Sequence, residues 1–131
     1  MTANTPQSAK AKGRKFQQEI RDDLITSLDI NPDDILSTAM GQGGCDLYLS
    51  PAARARFPYG VEAKRCESLS LPQWWRQCEN NAAKVGLIPL LVFRRNREEP
   101  LAVLRWSDLL MLLRQDHRWQ NLAEGLTGGM V

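Results

Sequence analysis

Histidine is almost missing from this chain. His117 is the only one among 131 residues, so a mechanism built on a histidine pair or a Ser-His-Asp set is severely constrained. Cysteine is scarce and odd in number. Cys45, Cys66 and Cys78 have no C-x-x-C spacing, which argues against a disulfide framework and a zinc site and leaves reduced thiols. Long apolar runs are missing too: Leu87 to Phe93 falls far short of the ~20 residues a membrane span needs. Met1 to Lys15 is polar and basic, without the apolar h-region of a secretory signal. These absences predict a cytoplasmic protein with no membrane partner. A large excess of one charge is also lacking, and a net charge of +2 does not by itself establish a nucleic-acid partner.

The distribution of charge says more than the sum. Lys10, Lys12, Arg14 and Lys15 form one basic cluster, Arg54 and Arg56 a second, and Arg94, Arg95 and Arg97 a third, balanced by Asp22-Asp23, Asp33-Asp34 and Glu98-Glu99. A local positive surface can hold phosphates while the total stays near neutral. The length suits one domain with a real core. At 43% hydrophobic and 24% charged, the composition is that of an ordinary globular protein.

Periodicity gives an element order. Residues 1–11 read as a flexible basic tail, 12–115 as the folded domain and 116–131 as a C-terminal tail. From Lys12 to Leu28, Phe16, Ile20, Leu24 and Leu28 recur every four positions, the pattern of an amphipathic helix. Asn31-Pro32-Asp33-Asp34 breaks it. Ile35 to Met40 reads as a strand, Gly41 to Gly44 as a turn, and Asp46 to Ser50 as a second strand with Leu47 and Leu49 on one face. Ser50 to Pro58 reads as a loop, followed by a strand over Tyr59 to Arg65. A second helix starts near Pro72, with Ser70 as N-cap. Its apolar stripe is Leu71, Trp75, Cys78, Ala82 and Val85, with Trp74 the more exposed tryptophan, and Gly86 closes it. Ile88 to Phe93 fits a buried central strand. Leu101 to Trp106 is a further strand, and Ser107 caps a short helix to Leu113. The order is helix, three strands, helix, two strands, helix. A buried strand returning after the middle helix implies a parallel pair, hence an α/β fold with a mixed central sheet flanked by helices.

The chemistry lies in Gly44-Cys45-Asp46 and, sixteen positions after Asp46, Glu62-Ala63-Lys64. Side chains alternate along a strand, so Val61 and Ala63 face a core while Glu62 and Lys64 share the opposite face. Asp46 and Glu62 are hard oxygen donors suited to Mg²⁺, with Mn²⁺ as a substitute, and the Ala63 carbonyl is a further candidate ligand. A cation there lowers the pKa of bound water and neutralises phosphate charge. Lys64 then orients or deprotonates that water, or stabilises the pentavalent oxygens, with orientation and electrostatics favoured over a base role. Metal-dependent phosphodiester cleavage is the use that fits best.

Asp46 followed by Glu62-Ala63-Lys64, within this element order from about Lys12 to Trp106, resembles the PD-(D/E)xK nuclease superfamily. In its small size and leading helix the chain resembles Holliday junction resolvases and small phage endonucleases. The resemblance implies a restriction-endonuclease-like core, α-β-β-β-α-β-β, and Glu19 on the first helix as an assisting metal ligand. It also implies an active-site glutamine at Gln73 or Gln77, one turn apart on one helix face. Cys45 stands where these proteins often carry proline. The implied protein is a Mg²⁺-dependent endonuclease acting on branched DNA, phage- or prophage-encoded, and a homodimer because symmetric cutting of a junction needs two sites. Lys12, Arg14, Lys15, Arg65, Arg94 and Arg95 are the candidate DNA contacts, and Trp106 with Leu109 to Leu113 a candidate interface. The rival readings are a restriction- or repair-type nuclease of the same superfamily, a DNA-binding module that kept the fold without turnover, and a structural α/β protein whose Glu62 and Lys64 form a plain ion pair.

Overall fold

A capping box opens the first helix. Oγ1 of Thr5 accepts from the Ser8 N–H at 3.1 Å and Oγ of Ser8 accepts from the Thr5 N–H at 3.1 Å. Pro6 occupies the first turn, where its missing N–H leaves no bond unmade. The computed structural model describes residues 5–38, 44–116 and 125. In it α1 runs over Pro6–Leu28, so residues 6–11 belong to the helix rather than to a tail; the cap signal at Thr5-Pro6 outweighs the polar composition. Asp29, left-handed at φ 53°, ends α1. Asn31 then caps a 3-10 turn over Pro32–Asp34, its Oδ1 accepting from the Asp33 N–H at 2.9 Å.

Strands β1 (Ile35–Ser37) and β2 (Leu47–Leu49) pair antiparallel, with Ile35 opposite Leu49 and Ser37 opposite Leu47. Arg21 of α1 ties them to the helix through the carbonyls of Ile35 at 2.7 Å and Pro32 at 2.8 Å. The segment expected as a loop after Ser50 is a helix, α2 (Pro51–Arg56), capped by Ser50 through the Ala53 N–H. Ser-Pro repeats the Thr-Pro start of α1, a signal masked by the shortness of the helix. Arg54 and Arg56 are structural here. Arg54 donates to the carbonyls of Leu49 and Val85, and Arg56 to that of Asp29.

Strand β3 (Tyr59–Arg65) passes through α3 (Leu71–Lys84) to β4 (Ile88–Arg94), which lies parallel to it with Glu62 opposite Leu91 and Arg65 opposite Arg94. Gly86 makes the turn at φ +69°, a conformation open to glycine. β5 (Leu101–Val103) pairs antiparallel to β4, and α4 (Trp106–Gln115) follows. Trp106 therefore starts a helix rather than ending a strand, and Arg105, not Ser107, holds the cap position. The sheet is mixed, with helices on both faces, but it divides into β1–β2 and β3–β4–β5. The two parts meet where the Asp46 N–H donates to the Val61 carbonyl at 2.9 Å; β2 ends within three residues because Ser50-Pro51 turns the chain into α2. β1 stops at Ser37, before Thr38; residues 39–40 of the expected strand, and nearly all of the expected C-terminal tail with His117, lie outside the described residues.

Two cores sandwich the sheet. Phe16 and Ile20 of α1 pack with Ile35, Leu47, Leu49 and Val61; Trp74 and Cys78 of α3 pack with Leu91 and Phe93. The two tryptophans of α3 exchange their expected places. Trp74 is 7% exposed, its ring 6.0 Å from that of Phe93, whereas Trp75 is only half-buried. The buried stripe steps from Leu71 by three to Trp74 and then by fours to Cys78 and Ala82, a phase set by where β4 lies. No described helix is long and apolar enough to cross a membrane.

Candidate active site

Alternation along β3 sends Tyr59, Val61 and Ala63 toward α1 and Gly60, Glu62 and Lys64 toward α3. A Cβ at Gly60 would sit 2.8 Å from Cβ of Ala82 and 3.0 Å from Sγ of Cys45. Only glycine lets the strand lie this close to α3, and the approach brings Gln77 and Asn81 of the helix over the strand.

Glu62 is 4% exposed. Its Oε1 accepts from Nδ2 of Asn81 at 3.2 Å, and its Oε2 lies 3.8 Å from Nζ of Lys64. Lys64 donates to Oε1 of Gln77 at 2.9 Å. From the neighbouring strand, Oδ2 of Asp46 accepts from the Ala63 N–H at 2.7 Å, and the Asp46 and Glu62 carboxyl groups are within hydrogen-bonding reach of each other. Asp46, Glu62 and Lys64 thus converge. An extended residue sends its N–H and C=O toward the same edge, so the Ala63 carbonyl leaves β3 on the side where Asp46 stands.

Burial raises the pKa of both acids. Glu62 rises from its ordinary 4.5 to about 7, through loss of water first and the Asp46 charge second, with Lys64 and Asn81 opposing. Asp46 is raised by burial, against the Ala63 N–H. Two adjoining half-dry carboxylates cannot both hold their charge cheaply. This is a donor set that a divalent cation would relieve: hard oxygens, surplus negative charge and a main-chain carbonyl at hand. The residues fit such an ion.

The other expected members are placed differently. Glu19 does not join the two carboxylates; both its oxygens accept from Nη1 of Arg94 at 3.1 Å, and among the described residues no three His, Cys, Asp or Glu side chains form a metal cluster. Helix position alone could not show that Arg94, some 75 positions away, would claim it. Gln77 reaches the site while Gln73 is exposed and bonds to nothing there. Lys12, Lys15, Arg65 and Arg94 gather around one recess. Arg14 is exposed and outside that recess, and Arg95 pairs with Glu98 at 2.8 Å. Cys78 packs against the Gly60 carbonyl, its thiol pushed up to about 12 by burial.

Sequence reasoning missed Asn81 and Gln17. Asn81 continues the four-residue spacing of Gln73 and Gln77, which was a usable signal. Gln17, like Glu62, is a polar side chain only 4% exposed, and its Oε1 accepts from the Ser37 hydroxyl at 2.8 Å. It follows Phe16 on the buried arc of α1, where an amide is conspicuous.

Residues 8–124 match a family model described as "Phage putative PDDEXK endonuclease". The chain belongs to that family. No curated protein and no solved structure matches it.

Proposed function

We propose that this protein is a Mg²⁺-dependent DNA endonuclease with a restriction-endonuclease-like core, its site formed by Asp46, Glu62 and Lys64. The observation that carries this reading is the convergence of the two acids from adjacent strands with the Lys64 ammonium 3.8 Å from one of them. Asp46, Glu62 and the Ala63 carbonyl would hold the cation, with Mn²⁺ able to replace Mg²⁺. When bound, such an ion neutralises charge on the phosphate and acidifies a water molecule.

The remaining work falls to the chain's own groups. Asn81 fixes the Glu62 carboxylate, and the Ala63 N–H fixes that of Asp46. Lys64 stands 3.8 Å from Glu62 and is held by Gln77, so its role is to orient the attacking water and stabilise the pentavalent oxygens rather than to act as base. Gln77 holds the Lys64 ammonium in place. Branched DNA is the favoured substrate, and the paired cuts it calls for require two copies of the site, hence a homodimer. In support, α4 leaves Trp106 70% exposed beside Met111 and Leu112.

The test is to incubate pure protein with Mg²⁺ and duplex, single-stranded, flap and four-way-junction DNA beside an Asp46→Asn control. The expected result is cleavage by the wild type alone, preferentially of the junction, with DNA binding retained by the variant. Cleavage unchanged in Asp46→Asn or Glu62→Gln would end the proposal. Binding without nicking in either metal would identify an accessory module.

A further inference from the structure

Arg65 and Arg94 stand opposite each other in the parallel register of β3 and β4, at the carboxyl ends of both strands. Like charges placed directly across a strand pair repel. Acids on either side offset the repulsion: Glu19 of α1 binds Arg94, while Glu67, at 3.5 Å, and Asn96 hold Arg65. The offset is incomplete. Lys12 and Lys15, one turn apart on α1, face the same place, and neither has an ion-pair partner among the described residues. Four cations surround two carboxylates, an excess of two positive charges around contiguous recesses of about 260 Å³ each that share Lys12 and Arg65.

Location is the second observation. In open α/β sheets ligands gather beyond the carboxyl ends of the strands. Arg65 lies three residues past Glu62, about 10 Å along the strand. It projects toward α1, whereas Glu62 and Lys64 project toward α3. The recess and the carboxylates therefore flank the same strand end from opposite faces. The cation side chains are partly exposed, that of Arg94 to 32%, so an anion can exchange with Glu19 for its guanidinium without opening the core.

We propose that Lys12, Lys15, Arg65 and Arg94 form a subsite for a non-scissile backbone phosphate of the DNA strand whose scissile phosphate meets Asp46, Glu62 and Lys64, an inference that rests on the nuclease reading. The strand crosses the end of β3, anchored behind it and cut in front. The four cations contact phosphate rather than base edges, so the subsite sets position and not sequence preference.

The experiment measures DNA binding by fluorescence anisotropy across a salt series, in the non-cleaving Asp46→Asn background without divalent metal. Lys12→Ala/Lys15→Ala, both exposed on α1, is expected to lower the slope of log K against log[salt] by about 2. Arg76→Ala/Lys84→Ala, an equal loss of charge on α3, is expected to leave it unchanged. On the Asp46 background restored to wild type, the Lys12/Lys15 variant is expected to lose kcat/KM through KM, with its melting temperature unaltered. An unchanged slope while the wild type still cuts DNA overturns the subsite and leaves the nuclease reading intact. A reduced slope with no cutting by any wild-type preparation keeps the subsite as a phosphate contact and removes the nuclease reading. Equal slope losses in both double variants, or a free mononucleotide that competes as tightly as the oligonucleotide, also overturn the assignment.

Discussion

The Ala63 N–H donates to Oδ2 of Asp46 across 2.7 Å, so the strand that carries Glu62 also aims the acid of its neighbour. Asp46→Ala leaves that N–H without a partner in a half-buried place, and should destabilise the protein by about 1–3 kcal/mol. Asp46→Asn keeps an accepting oxygen and should cost much less. Urea unfolding of both variants separates them; equal losses would show that the bond does not position Asp46.

Glu62 gives the metal-free protein an unusual response to pH. Its pKa is raised in the folded state from 4.5 to about 7, by burial and then by Asp46, so the folded chain binds more protons than the unfolded one. The stabilisation is complete below about pH 4.5 and is lost as pH rises through about 7. Between pH 5.5 and 8 the metal-free protein should lose about 2 kcal/mol; Asp46 is raised in the same direction by burial. Glu62→Gln should flatten the curve. Denaturant titrations in a chelator are the measurement, and a wild-type stability that stays level or rises over this window would contradict the assignment. Since ligating carboxylates must be deprotonated, affinity for a divalent ion should climb over the same interval.

Gly60 sets how closely β3 approaches α3. Gly60→Ala drives a methyl group to within 2.8 Å of Cβ of Ala82 and 3.1 Å of its Cα, backbone that cannot swing aside. A loss of about 1–3 kcal/mol is expected, together with weaker catalysis because Asn81 and Gln77 move away from Glu62 and Lys64. The double variant Gly60→Ala/Ala82→Gly should recover part of the stability. No recovery would mean that the strain lies elsewhere.

The three amides spaced by fours on α3 should differ in effect. Asn81→Ala strips Glu62 of its donor and should lower metal affinity or activity about 10- to 100-fold, as expected for residues that orient a ligand. Gln77→Ala should reduce kcat by freeing Lys64. Gln73→Ala should stay close to wild type, as its side chain meets neither. Steady-state kinetics with a metal titration would rank them, and Gln73→Ala as the most damaging change would reverse the ranking.

The elements carrying Asp46, Glu62 and Lys64 were legible because their signals are local. Alternation along Tyr59 to Arg65 separates Glu62 and Lys64 from Val61, and the apolar run from Ile88 places β4 in the middle of the sheet. What escaped depends on partners far away in sequence. The phase of α3 is fixed by Phe93, so Trp74 and Trp75 exchanged places. Glu19 could not be assigned without knowing that Arg94 lies at the neighbouring strand end. Helix α2 was hidden for another reason: six residues are too few to show a period, although Ser50-Pro51 marked its start.

The parallel register of β3 against β4 has a consequence for how this chain can vary in length. One residue inserted or deleted between Pro58 and Glu62 would turn the Glu62 and Lys64 side chains onto Phe16 and Ile20 and present Val61 to Asn81. Homologous chains should accordingly keep this stretch at fixed length. Gains and losses of residues should gather instead in the exposed connection between Arg94 and Leu101, where neither the carboxylates nor their amide partners would register the change.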